Sequence, residues 1–352
     1  MSGPVRWILF PLLFSLATGG IVAAQDQPAE EPAGLRPPFH WALSEPLVRP
    51  FSRPADPCTS IKDPTVVLHD GQLHLFCTIR SENRSHQIEY LAFDDWQRAD
   101  AAPRHILTLS DGYFCAPQVF YFAPHKLWYL VYQVNEKGHR QGLQPAFSTT
   151  ADLAKPDSWT RPKLMFTTDP ETVKSWIDFW VICDDTQARM FFTSNDGRMW
   201  RSDAPIADFP MGWNEPTVVL RGDVFEASHT YRVKETGRYL TIIEAIGHGR
   251  RYYKAYDSDR LDGSWTPVAD SWEKPFASSE NLLPGARPRW TDHVSHGELL
   301  RLGSDQRMEI SGNNLQFLIQ GVPNDDYRGR KYGEIPWRLG LLRQRVLDKS
   351  PD

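Results

Sequence analysis

Short apolar and aromatic runs, broken by tight-turn sequences, recur along the whole chain. Val66-Val67-Leu68-His69 meets Asp70-Gly71 and resumes as Leu73-His74-Leu75-Phe76-Cys77, the signature of a β-hairpin. The same form returns four times. Val119–Phe122 passes through Ala123-Pro124-His125-Lys126 into Leu127–Tyr132, and Phe179–Ile182 passes through Asp184-Asp185 into Arg189–Phe192. Thr230–Val233 passes through Glu235-Thr236-Gly237 into Tyr239–Ile243, and Leu299–Arg301 passes through Gly303-Ser304-Asp305 into Met308–Ile310. The only hints of helix are Ala99–Ala102 and the run Leu339–Leu347.

The five units start near Asp63, Ala116, Asp178, Glu226 and His296, at spacings of 53, 62, 48 and 70 residues. A loose period of about 50 residues suits the four-stranded blades of a propeller. The pattern predicts an all-β chain folded as a single five-bladed β-propeller over residues 38–346, with a short tail at 347–352. Two stacked β-sandwiches are the competing arrangement.

Composition removes several functional classes. The net charge is −5, with 39 Lys and Arg against 44 Asp and Glu, so the basic excess of a nucleic-acid binder is missing. The one long apolar run, Trp7–Ala17, follows Arg6 and ends in Val22-Ala23-Ala24, which reads as a secretory signal peptide over residues 1–24. No membrane span is expected in the mature chain. Residues 25–37, rich in Pro and charge, read as a flexible leader. Export to an extracellular or periplasmic space permits disulfides. Cys58, Cys77, Cys115 and Cys183 allow three pairings, yet each also reads as a small buried hydrophobe.

In a propeller the first strand of each blade lines the central channel, so a polar residue at its start points toward one shared pocket. Three starts carry a carboxylate ahead of an apolar strand: Asp63, Asp178 and Glu226; a fourth carries His296. Glycoside hydrolysis needs such a set. One carboxylic acid protonates the departing sugar oxygen, and a second carboxylate activates water or attacks directly. A third carboxylate nearby can hold the acid protonated by like-charge repulsion. The 13 Trp and 12 Tyr suit sugar faces as well as blade packing.

At these residues the chain resembles glycoside hydrolase family 62, the secreted α-L-arabinofuranosidases. The likeness spans about residues 39–343. It runs through Phe39-His40-Trp41, Asp63-Pro64-Thr65-Val66-Val67, Ala116–Pro124, Asp178–Cys183, Phe225-Glu226-Ala227, Ile243–Gly247, Ser295–Glu298 and Pro336–Leu342. The resemblance implies a five-bladed propeller that works by inversion. Asp63 would be the general base, Glu226 the general acid, and Asp178 the group that raises and orients Glu226. It implies substrate contacts at Lys62, Tyr113, Gln118, Ile177 and Trp180. It further implies a structural calcium ion with His296 as ligand, a site that a single imidazole and waters would hold weakly. The expected partner is arabinoxylan or a related arabinose-bearing polysaccharide, and the expected state is a monomer. Glu244 and Glu298 read as structural residues whose strands point away from the pocket.

Two positions depart from the family pattern: Phe114 follows Tyr113 where Arg is usual, and Ile319 precedes Gln320-Gly321 where Tyr is common. The stretch Val134–Thr149 is also longer and more basic than expected. These departures fall at positions expected to touch the substrate. They keep two alternatives open: a non-catalytic carbohydrate-binding propeller, and a related hydrolase of β-xylosidase type.

Overall fold

The turns named above build the fold. In the computed structural model, which describes Gly3 and residues 32–345, Asp70 and Gly71 both take positive φ, 48° and 77°. A two-residue hairpin turn of matching twist requires this. The signal-peptide region and the tail at 347–352 lie outside the described residues, Gly3 excepted.

Five sheets follow, four of four strands and one of five. Blade 1 holds Cys58–His69, Gln72–Ser81, Gln87–Phe93 and Arg104–Ile106; blade 2 holds Phe114–Phe122, Leu127–Asn135, Leu143–Thr150 and Lys163–Leu164. Blade 3 runs Ile177–Cys183, Gln187–Thr193, Arg198–Pro205 and Thr217–Arg221; blade 4 runs Glu226–Val233, Tyr239–Gly247, Arg250–Ser258 and Thr266–Ala269. Blade 5 takes Ser295–Leu299, Gln316–Gly321 and Arg338–Gln344, and its outer strand is Trp41–Leu43 from the other end of the described chain. The first strands of successive blades pack side by side around a closed ring, blade 5 against blade 1 included. The chain is a five-bladed β-propeller, as the pattern predicts.

Three details differ from the sequence reading. Leu339–Leu342 is strand, not helix: it lies centrally in blade 5, bonded on one side to Gln316–Gly321 and on the other to Trp41–Leu43. An apolar run of this length satisfies either period, and pairing on both edges decides it. At the other helical hint, Trp96–Ala101 forms a 3-10 helix capped by the Asp95 carboxylate. Glu309–Ile310 does not fold back on Leu299; it pairs in parallel with Arg232–Val233 of blade 4.

The segment between them closes one end of the channel. Ser304 accepts from the Tyr121 N–H at 2.7 Å, Gln306 from Cys183 N–H at 2.8 Å, and Met308 from Arg232 N–H at 3.1 Å, all through backbone carbonyls. Arg301 donates to the Val66 and Val119 carbonyls at 3.1 and 2.9 Å. One loop from blade 5 thus bonds the inner strands of the other four blades.

Part of the leader is also built in. Leu35 is buried in the main core and the Gly34 carbonyl accepts from Gln344 Nε2 at 2.6 Å. All four cysteines are buried and unpaired.

Candidate active site

At the other end of the channel every inner strand is interrupted in the same way. Pairing with the second strand slips after Lys62, Cys115, Ile177, Glu226 and Ser295, at one equivalent point in each blade. The residue inside the slip has positive φ in four blades: Asp63 at 48°, Ala116 at 52°, Asp178 at 59° and Ala227 at 49°. His296 holds the corresponding place in blade 5. A β-bulge re-aims side chains, and a non-glycine residue held left-handed costs about 1–3 kcal/mol, which the surrounding packing must sustain. The repeat in the sequence is therefore a repeat of bulges, and these gather Asp63, Asp178, Glu226 and His296 around one axis.

Each bulge leaves a backbone N–H that its own blade cannot satisfy, and the preceding blade supplies the acceptor. Ala116 N–H goes to Thr78 Oγ1 at 2.9 Å, Asp178 N–H to Gln133 Oε1 at 3.2 Å, His296 N–H to Glu244 Oε2 at 2.8 Å, and Asp63 N–H to Gln320 Oε1 at 2.8 Å. Thr78, Gln133, Glu244 and Gln320 all pair across from the residue just before their own blade's bulge. Thr193 occupies that place in blade 3. The junction it should serve is different, because Ala227 N–H donates to the Asp178 carboxylate at 3.1 Å. The Thr193 hydroxyl is buried without a partner among the described residues.

Charge is concentrated here and almost dry. Lys62 Nζ lies 3.6 Å from Asp63 Oδ2, and His296 Nδ1 stands 3.4 Å from Asp63 Oδ1 and 3.5 Å from Asp178 Oδ2. Burial alone would push the Asp63 carboxyl up, but Lys62 and His296 hold it below the usual aspartate range. Burial pushes Asp178 up to about 7; His296 opposes this, while Glu226 and Asp63 add to it. Glu226 is also raised, chiefly by burial, with Arg251 opposing and Glu244 adding. The chain thus sets one carboxyl held low across from two that are held high.

Glu226 is held from two sides. Asn195 Nδ2 donates to its Oε1 at 3.1 Å, and Arg251 donates to its Oε2 at 3.1 Å. The same Arg251 donates to Glu244 Oε1 at 2.6 Å. Glu244 also accepts from the Ser295 hydroxyl at 3.1 Å. So Glu244 faces the site, against the sequence reading. Arg251, Asn195, Gln133 and Gln320 were not foreseen. A lone polar residue inside an apolar second strand, as in Ile242-Ile243-Glu244-Ala245 or Leu318-Ile319-Gln320, was the available signal. Glu298 does stay in the interior, 2.7 Å from Arg301 Nε.

The expected substrate contacts divide. Lys62 is at the site, where Nζ also meets the Tyr332 hydroxyl at 3.2 Å. Ile177 is half-buried at the bulge of blade 3. Tyr113 is half-buried; its oxygen accepts from Cys115 Sγ at 3.0 Å and Gln133 Nε2 at 3.2 Å, and its ring borders a cleft of about 550 Å³ with Arg84 and Asp111. Trp180 and Gln118 are elsewhere. Trp180 is fully buried, stacked on His229 at 4.2 Å, with its N–H on the Thr230 carbonyl. Gln118 spans to Val181, accepting from its N–H and donating to its carbonyl, both at 2.7 Å. Both follow their bulge by two residues, where the pleat directs them into the packing between blades.

Phe114 and Ile319 are fully buried in apolar clusters, so neither departure lies on an open rim. The basic stretch forms the tip of a blade 2 hairpin, tied down by His139 Nδ1 and Arg140 N–H on the Asp169 carboxylate at 2.6 and 2.7 Å. For calcium, a hard cation wanting six to eight oxygens, the described residues contain no cluster of three or more His, Cys, Asp or Glu arranged to hold a metal ion. His296 would offer one nitrogen, with water supplying most of the shell.

Known proteins resemble this chain in sequence and fold. The family model for glycosyl hydrolase family 62 matches residues 40–343. The chain is 35% identical over 317 residues to α-L-arabinofuranosidase C of Cellvibrio japonicus; the match covers 88% of this chain and about half, 48%, of that relative. Among solved structures, the catalytic domain of the Coprinopsis cinerea family 62 α-L-arabinofuranosidase superposes with a TM-score of 0.81 at 37% identity, covering 89% of this chain and 98% of that one. The Podospora anserina α-L-arabinofuranosidase, solved with cellotriose, gives 0.80 at 34% identity, covering 87% and 97%. With the family model spanning nearly the whole propeller, the chain belongs to glycosyl hydrolase family 62.

Proposed function

We propose that this protein is a secreted, exo-acting α-L-arabinofuranosidase that removes arabinofuranosyl side chains from arabinoxylan or a related polysaccharide with inversion. The observation that carries this reading is the ring of bulges that gathers Asp63 beside Lys62, with His296 between Asp63 and Asp178 and with Glu226 held by Arg251, an arrangement in which Asp63 is held low and Glu226 and Asp178 high. Asp63, ionised beside Lys62, takes a proton from the water that attacks the anomeric carbon. Glu226 gives its proton to the departing polymer oxygen, oriented by Arg251 and Asn195. Asp178 orients the acid by holding the Ala227 N–H beside Glu226, while burial and the neighbouring Glu244 keep that proton in place. Lys62 binds the sugar hydroxyls. The loop over residues 300–310 bonds the inner strands at the far end of the channel, which suits a terminal sugar approaching from the bulge end rather than a through-running backbone.

The test is product analysis on arabinoxylan, branched arabinan and arabinogalactan, with the anomer of the first product read by NMR. Release of arabinose as the inverted anomer is expected. Release of xylose from chromogenic xylosides but no arabinose would favour the β-xylosidase reading. Glycan binding without turnover would favour the non-catalytic one.

A further inference from the structure

The two ends of the reaction are joined by one buried carboxylate. Glu244 is completely buried at the centre of the second strand of blade 4, between two hydrogen-bonded branches. One branch runs to the acid: Glu244 Oε1 accepts from Arg251 at 2.6 Å, and Arg251 donates to Glu226 at 3.1 Å. The other runs to the base: the Ser295 hydroxyl donates to Glu244, Gln320 Nε2 donates to Ser295 Oγ at 3.0 Å, and Gln320 Oε1 accepts the Asp63 N–H at 2.8 Å. A third contact, from the His296 N–H at 2.8 Å, fixes the bulge of blade 5. Glu244 itself touches neither Glu226 nor Asp63 through any of these bonds.

We propose that Glu244 is a positioning residue for the reaction, setting where the acid and the base stand relative to one another through Arg251 and through Ser295–Gln320. This rests on the assignment of Glu226 as acid and Asp63 as base. The chemistry favours a full carboxylate here. Its acceptor sites take the guanidinium, the hydroxyl and the backbone N–H together, and its charge keeps Arg251 from turning wholly onto Glu226. An amide of the same shape offers one acceptor oxygen and two donors. With Glu244→Gln the Arg251 guanidinium keeps Glu226 as its one anionic partner, which draws the acid toward the ionised form and out of line with the leaving oxygen.

The consequence is selective. An aryl arabinofuranoside departs as a stable nitrophenolate and needs little protonation, whereas a polysaccharide hydroxyl needs the acid fully. Glu244→Gln is expected to lower kcat on arabinoxylan about 30-fold or more while 4-nitrophenyl α-L-arabinofuranoside loses less than about 5-fold, because general acid catalysis is worth about 10²–10⁴-fold. KM should change little on either substrate. Glu226→Gln, run in parallel, should show the same selectivity more strongly. If Glu226→Gln shows none, the acid assignment fails; if Glu226→Gln shows it and Glu244→Gln loses both substrates equally, Glu244 is only structural and the proposal is overturned. Should Glu244→Gln not fold, Ser295→Ala severs one branch. That branch leads to the base, so the variant must then slow the polymer and the aryl glycoside alike and shift the acid limb of the kcat/KM pH profile; activity and profile both unchanged would overturn the proposal.

Discussion

The two ends of the central channel are made from the same five strands and are built on opposite plans. At the closed end, inner strands terminate in backbone-to-backbone bonds with residues 300–310, among buried apolar residues such as Val181, Tyr231 and Leu299. At the open end the strands break into bulges, the N–H groups go to side chains, and Lys62, Asp63, Asp178 and His296 are buried together. Buried charges and left-handed residues are costly, and they persist only where the surroundings over-determine them. The closed end supplies that constraint by bonding four blades to a loop of the fifth. Stability and catalysis are thus partitioned along one axis, and substitutions should separate them.

The sharpest separation comes from opposite ends. Asp63→Asn should cut kcat on arabinoxylan by about 10³-fold or more, since it removes the proposed general base; the protein should still fold, at a lower melting temperature, because Lys62 and His296 lose their anionic partner. Residual activity close to that of the parent would defeat the assignment. Arg301→Ala should do the reverse. It frees the Val66 and Val119 carbonyls and leaves Glu298 buried without its cation. Removing one partner of a buried pair costs about 3–5 kcal/mol, so denaturant unfolding should shift far while kcat of the folded protein is kept.

How much of this was legible follows the same division. Four of the five strand starts were readable because each puts a polar residue before an apolar strand, as in Lys62-Asp63-Pro64-Thr65-Val66; Ala116 carries no such mark, and the bulges themselves leave none. The resemblance put Trp180 and Gln118 among the substrate contacts, but the bulge shifts the facing of everything after it and both turn into the packing between blades. The belt of side chains that holds the bulges and the acid was hidden for another reason. Glu244, Arg251 and Gln320 sit in second and third strands, and only ring closure brings them to the mouth. The loop 300–310 resembled a hairpin because Gly303-Ser304-Asp305 is turn-forming anywhere; its pairing with Arg232–Val233 is purely tertiary.

Acidity gives a second way to sharpen the contrast. kcat/KM should rise as Asp63 ionises, below the usual aspartate range, and fall as the Glu226–Asp178 pair loses its proton, with Asp178 at about 7. Stability moves with opposite signs. A depressed Asp63 contributes stability above its unfolded value of about 4, lost as pH falls. A raised Asp178 is a liability that grows as pH rises from about 4 to 7, because only the folded state still holds the proton there. Asp178→Asn keeps an acceptor for the Ala227 N–H and removes the charge, so its melting temperature should exceed that of the parent at pH 8 and lose the advantage at pH 4. A variant less stable than the parent at pH 8 would mean that the His296 contact outweighs burial.

The smallest effect tests the belt itself. Thr78 and Thr193 are equivalent residues on the second strands of blades 1 and 3, both completely buried. Thr78 accepts the Ala116 N–H, whereas Asp178 has taken over the bond that Thr193 would make. Valine has the same shape as threonine without the hydroxyl. Thr78→Val should therefore strand a buried N–H and destabilise by about 1–3 kcal/mol. Thr193→Val removes a hydroxyl that has no partner among the described residues and should be neutral or stabilising. Urea unfolding of the two variants, side by side, reads the difference. Equal losses would mean that the Thr193 hydroxyl is held after all, and that Asp178 has not replaced it at the junction where the acid stands.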